Sequence, residues 1–255
     1  MECNHLSNPP LVEAIFELKW ELQQKSVNTP PTEPHYQILV GSLYDKIKER
    51  YPFHEQMPSV MMPADMAAYI IQHRFRKGEN LWPLIQLGPG IFTLNETENY
   101  SWDNFYNEIE YSLDKLYESY PEKNNIKIKS LKLRYLDAID FEYKNNILDF
   151  LETNMNIRLE MPKSLFNKTN VHNIPNGFDI RFSYPVPELG NAAIRLTRGE
   201  NNKKTAIIWE TNIETGIDEI PKNKNEITDW IKNSHEICHQ WFLNLCEGEL
   251  LEKFK

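Results

Sequence analysis

A chain of 255 residues with 40% hydrophobic and 12% aromatic residues is long enough to bury a self-sufficient core, which excludes a disordered chain or a disulfide-stapled miniprotein. Acidic residues outnumber basic ones 37 to 28, a net charge of −9. That excludes bulk attraction to nucleic acid or an anionic membrane and leaves room only for a local basic patch. The cysteines Cys3, Cys238 and Cys246 form an odd set with no C-x-x-C spacing, as expected of free thiols in a reducing compartment. The opening MECNHLSNPP lacks the basic-then-apolar order of a secretory signal. No run approaches the ~18 apolar residues that span a bilayer. The expectation is a cytoplasmic protein that makes no membrane contact.

Residues 12–22 alternate strictly, with Val12, Ala14, Phe16, Leu18, Trp20 and Leu22 on one side and Glu13, Ile15, Glu17, Lys19 and Glu21 on the other. A period of two predicts a half-buried strand, and Pro9-Pro10 fixes its extended entry. Residues 35–51 carry Ile38, Leu39, Leu43 and Ile47 at helical spacing. Residues 69–76 and 84–94 read as strands, the second bent at Gly88-Pro89-Gly90. Ser101 caps a helix running to about Tyr120, striped by Phe105, Ile109, Leu113, Leu116 and Tyr117.

After the polar break at Pro121 the order repeats. A strand is predicted over 128–143, a helix over Ile147–Met155, strands over 178–184, 192–198 and 205–213, and a last helix over 226–246. Two strand-helix-strand-strand-helix halves, 1–123 and 124–255, are therefore expected within one compact unit. Residues 158–177 form a polar, proline-containing loop long enough to be functional.

Alternating strands with helices at intervals predict an α+β fold: a mainly antiparallel sheet with helices on one face. Alternation assigns Glu13, Glu17, Lys19, Arg74, Arg76, Lys132, Arg134, Asp140, Arg181 and Arg195 to the other face. Asp137 falls instead in the apolar series Leu131, Leu133, Tyr135, Ile139 and Phe141. A buried carboxyl there must find donors, such as Arg134 or a helix N-terminus, or stay protonated.

The H-E-x-x-H letters of His235-Glu236-Ile237-Cys238-His239 have the local spacing of a zinc protease. Helical geometry sets His235 at the edge of the buried stripe and Glu236 toward solvent, and only sixteen residues follow in which to find a third ligand. An ordinary amphipathic helix is the expected outcome, with no metal. No nucleophile elbow or phosphate loop occurs, so no catalytic residue and no cofactor are assigned.

The motif Asn8-Pro9-Pro10-Leu11-Val12-Glu13-Ala14-Ile15-Phe16-Glu17-Leu18, with Leu133-Arg134-Tyr135-Leu136-Asp137-Ala138-Ile139, resembles an uncharacterised, sporadically distributed bacterial family. Its members open N-P-P-[LI]-V-E-A-[IV]-x-E-[LIF] and carry a central L-R-Y-[ILV]-N-x-I strand. Asp137 stands where that pattern has asparagine. The resemblance implies no established activity, and the patchy distribution implies an accessory role such as phage defence.

Functionally, the charged face has three readings. It keeps the sheet soluble through cross-strand pairs, it binds a macromolecular partner, or it grips a phosphate-bearing ligand. The expectation is a non-enzymatic protein binding a protein partner through Glu13, Glu17, Lys19, Arg74, Arg76, Arg134, Arg181 and Arg195 and the 158–177 loop. The alternative is a phosphate- or nucleotide-binding enzyme using Glu13, Glu17 and Lys19 with Mg²⁺ and the strand arginines. That chemistry is similar to the triphosphate-tunnel enzymes, although their E-x-E-x-K opening is not matched. Nucleic acid is disfavoured by the net charge, and oligomeric state is left open.

Overall fold

The computed structural model describes residues 6–24, 26–97, 100–122, 126–167, 169–246 and 248–255; Cys3 lies outside them. The elements run β1 (Leu11–Trp20), α1 (Tyr36–Ile47), β2 (Phe53–Gln56), β3 (His73–Arg76), β4 (Leu84–Gly88), β5 (Ile91–Glu96) and α2 (Trp102–Ser119). They continue with β6 (Ile128–Asp140), α3 (Ile147–Met155), β7 (Asp179–Val186), β8 (Gly190–Asn201), β9 (Lys204–Glu214), α4 (Lys224–Leu245) and α5 (Glu249–Phe254). The expected α+β fold with an antiparallel sheet is what forms.

The nine strands among the described residues join one sheet in the order β2-β3-β4-β5-β1-β6-β9-β8-β7, and every neighbouring pair is antiparallel. The two expected halves therefore share a sheet whose centre is the β1–β6 ladder. Their element orders are similar, but four strands follow α1 and three follow α3. Sequence alternation was too short to announce β2, which has four residues. The bend foreseen at Gly88-Pro89-Gly90 is a hairpin turn separating β4 from β5. Gly90 has φ +81 there, a conformation that a residue with a Cβ adopts only under strain.

Alternation puts one apolar face on the helical side. Phe16, Leu18 and Trp20 of β1, Leu131 and Leu133 of β6 and Ile213 of β9 meet α1, α2 and α4 in one cluster. Ile139, Ile194, Leu196, Ile207 and Trp209 meet α3 and α5 in a second. Burying each large side chain contributes about 1.5–3 kcal/mol. The expected Ser101 cap forms, its hydroxyl accepting from Asn104 N–H; the Asn146 and Asn223 side chains, which were not foreseen, cap α3 and α4.

Polar groups on this side are tied down. Glu33 accepts from Trp20 Nε1 at 2.5 Å and from the Tyr120 hydroxyl. Glu108 accepts from Arg50, Lys77 and the Tyr51 hydroxyl, each at 2.6 Å. Burial alone would raise the Glu108 acid, but the bonds from Lys77 and Tyr51 overcome it and hold its pKa below the ordinary value. One register expectation fails at the start of β1. The ladder slips between Leu11 and Glu13, which leaves Val12 39% exposed rather than in the core.

Candidate binding face of the sheet

The face away from the helices is read in rows, because residues paired across an antiparallel ladder project from the same side. The central row is Arg76–Leu84–Asn95–Ile15–Arg134–Asn212–Ala193. On one side of it runs Glu55–Arg74–Gln86–Thr93–Glu17–Lys132–Glu214. On the other runs Glu13–Leu136–Glu210–Arg195–Arg181. The eight residues assigned from sequence thus do share one face, with Lys19 a further row out opposite Ser130.

A chain of side-chain hydrogen bonds crosses four strands on this face. Arg74 Nε donates to Gln86 Oε1 at 2.9 Å. Gln86 Nε2 donates to Thr93 Oγ1 at 3.2 Å and to Asn95 Oδ1 at 3.0 Å. The Thr93 hydroxyl donates to Asn95 Oδ1 at 2.7 Å, and Asn95 Nδ2 donates to Glu13 Oε1 at 2.7 Å. Each amide's orientation is fixed by its neighbour, so the carboxylate of Glu13 is held in place. On the other side of the centre Asn212 Nδ2 donates to Glu210 Oε1 at 3.0 Å.

The remaining charges divide into paired and unpaired. Glu17 pairs with Lys19 at 2.7 Å, Lys132 with Glu214 at 3.3 Å, and Arg195 with Asp179 at 2.5 Å. Arg76 is buried, lies 3.3 Å from Glu55 and stacks over Trp82, yet its Nε has no hydrogen-bond partner of acceptable geometry among the described residues. Arg134 is half-buried and makes no hydrogen bond or ion pair among the described residues. Arg181, on the edge strand, is exposed. The centre is sheltered even though the helices pack on the opposite side: Ile15 is 6% exposed, Asn95 and Asn212 5% each.

Sequence reasoning missed Gln86, Thr93, Asn95, Glu210 and Asn212. The signal was present, since Thr93 and Asn95 alternate with Phe92 and Leu94, and Glu210 and Asn212 with Trp209 and Ile213. Attention to arginines and the β1 carboxylates concealed the uncharged Gln86, Thr93, Asn95 and Asn212, and passed over Glu210.

Asp137 is buried on the helical side as expected, opposite Leu11 and Trp209, but the suggested donors do not reach it. Arg134 projects from the other face, and Asp137 has no hydrogen-bond partner among the described residues. Burial pushes its pKa up to about 7. The same carboxyl, after burial, raises the thiols of Cys238 and Cys246, the latter to about 12.

His235 lies against Trp102, ring centroids 3.6 Å apart and 6° from parallel, with its Nδ1 2.9 Å from the Tyr135 hydroxyl. Burial, then the neighbouring His239, pushes its pKa down to about 3. Glu236 is exposed and accepts from Gln240. Among the described residues no three His, Cys, Asp or Glu side chains are grouped to hold a metal ion, here or around Glu13 and Glu17; Glu247 lies outside them. No helix among the described residues is long and apolar enough to cross a membrane. No protein-family model matches the chain, and no curated protein matches it at a significant level.

Proposed function

We propose that the chain is a non-enzymatic binding protein that engages a protein partner through the helix-free face of its sheet. The observation that carries this reading is the hydrogen-bond chain from Arg74 to Glu13 ending beside the unpartnered Arg134. Solubility alone asks only for exposed charges. A network that fixes amide and carboxylate orientations in a sheltered row supplies preorganised recognition.

The 158–177 loop supports the same reading. It leaves Met161, Leu165 and Val171 exposed on the segment that leads into the edge strand β7. The carboxylates of the face are engaged by amides, lysines or arginines, which favours recognition over Mg²⁺-dependent phosphate chemistry. A cytoplasmic location is part of the proposal, supported by the free thiols of Cys238 and Cys246, and so is an accessory, defence-related role, which rests on the resemblance alone.

The test compares complexes captured from the native host by tagged wild-type protein and by an Arg74→Glu/Arg181→Glu variant. A companion present in stoichiometric amount with wild type and lost with the variant is the expected result. A companion held equally by both would overturn the choice of surface.

A further inference from the structure

Within the ladders around it, Arg134 is the cation that the sheet leaves unanswered. Lys132 stands between Glu17 and Glu214, and Arg195, although opposite Glu210 in the ladder, is held by both carboxylate oxygens of Asp179. Arg134 instead has Ile15 on one side and Asn212 on the other. In the adjacent row Glu13 and Glu210 flank Leu136. They sit two strand spacings apart, about 9.5 Å between backbones. Each accepts one amide bond, and a carboxylate has acceptor sites for more. On β1, β6 and β9, the pattern left after internal pairing is one guanidinium, Arg134, with a carboxylate to either side in the adjacent row.

The complement of that pattern is one anionic group between two cationic ones. A polyanion would satisfy Arg134 while meeting both carboxylates, and like charges brought together oppose binding. A single extended chain presents that alternation of charge along one side. In such a chain, side chains at i and i+2 project to the same side roughly 6.8 Å apart, so the outer two stand about 13.6 Å apart at the backbone, and flexible lysine stems span the difference from the carboxylate spacing. We propose that the face binds an extended peptide segment in which an acidic side chain sits between two basic ones. Arg134 forms a bidentate bond to the acid, and Glu13 and Glu210 receive the bases. This rests on the proposed function above and specifies the chemistry of the partner's contacting segment.

Fluorescence anisotropy with labelled Gly-Lys-Gly-Glu-Gly-Lys-Gly, its charge-inverted Gly-Glu-Gly-Lys-Gly-Glu-Gly, and inorganic triphosphate as competitor tests it on the full chain. Wild type is expected to bind the first peptide and not the second, and triphosphate is expected not to compete. Arg134→Gln weakens the first peptide at least about tenfold, the usual effect of losing a charge-assisted bond. Glu13→Gln/Glu210→Gln weakens it independently, with the thermal midpoint reporting that each variant stays folded.

Equal binding of both peptides, indifference to Arg134→Gln, displacement by triphosphate, or no peptide binding at millimolar concentration would each overturn the proposal. If the peptide fails while partner capture still depends on Arg74 and Arg181, the segment's chemistry is wrong and the binding face stands. Capture indifferent to both sets of changes removes the face itself.

Discussion

Arg134 and Asp137 stand three residues apart on β6 and project from opposite faces of the sheet. Neither has a partner among the described residues, yet the two faces treat them differently. Asp137, 4% exposed beneath α4, is driven toward its neutral form because burial penalises the charge. Arg134 is only half-buried, and a guanidinium keeps its charge. The covered face therefore resolves an unmatched charge by protonation, at a cost in stability. The open face leaves one standing, where a ligand can answer it. The same strand thus carries a stability element and a recognition element, separated by the direction in which each side chain points.

The largest test of this division is a cavity on the covered side. Phe16→Ala removes a fully buried ring and is expected to lower stability by about 3–5 kcal/mol in urea denaturation, whereas Arg134→Gln is expected to stay within about 0.5 kcal/mol of wild type. Comparable losses would erase the distinction between the faces.

The second concerns pH. An aspartate whose folded pKa is raised to about 7 holds its proton in the native state after the unfolded chain has released it. Its contribution is fully present below about pH 4 and declines as pH rises through about 7. The decline integrates to about 4 kcal/mol at most. Asp137→Asn should flatten that slope and be more stable than wild type at pH 8, as urea midpoints at pH 5 and pH 8 will report. A wild-type slope that survives the substitution would assign the titration elsewhere.

Smaller effects belong to the open face. Asn95→Ala breaks the bonds to Gln86, Thr93 and Glu13 and is expected to cost about 1–3 kcal/mol, because buried polar groups lose partners. Arg195→Ala removes an exposed pair with Asp179 and should leave the thermal midpoint unchanged, as surface ion pairs generally do. A midpoint that moved with Arg195 and not with Asn95 would show that the charges, and not the amide network, organise this face.

Much of this was legible in the letters. Period-two patterning over Ala14–Trp20 and Leu131–Phe141 located the central strands and put Arg134 and Asp137 on opposite faces. Helical spacing and capping residues located α2 to within a residue. What stayed hidden has physical causes. Strand order depends on which ladders close, and a local pattern does not encode that. The slip beside Val12 is a ladder irregularity, invisible to strict alternation. The uncharged members of the network, Gln86, Thr93, Asn95 and Asn212, gain meaning only when their strands lie side by side. The absence of a partner for Arg134 is likewise a property of its row: Ile15 and Asn212 stand where opposed carboxylates would have made an ordinary cross-strand pair.

The most direct test of the central claim is a nuclear magnetic resonance titration of isotopically labelled protein with the Gly-Lys-Gly-Glu-Gly-Lys-Gly peptide. Saturable shifts concentrated at the side-chain amides of Asn95 and Asn212 and the methyls of Ile15, with the Trp102 and Trp230 indoles of the helical layer unmoved, are the predicted result. Shifts centred on the helical layer, or none at millimolar peptide, would contradict it.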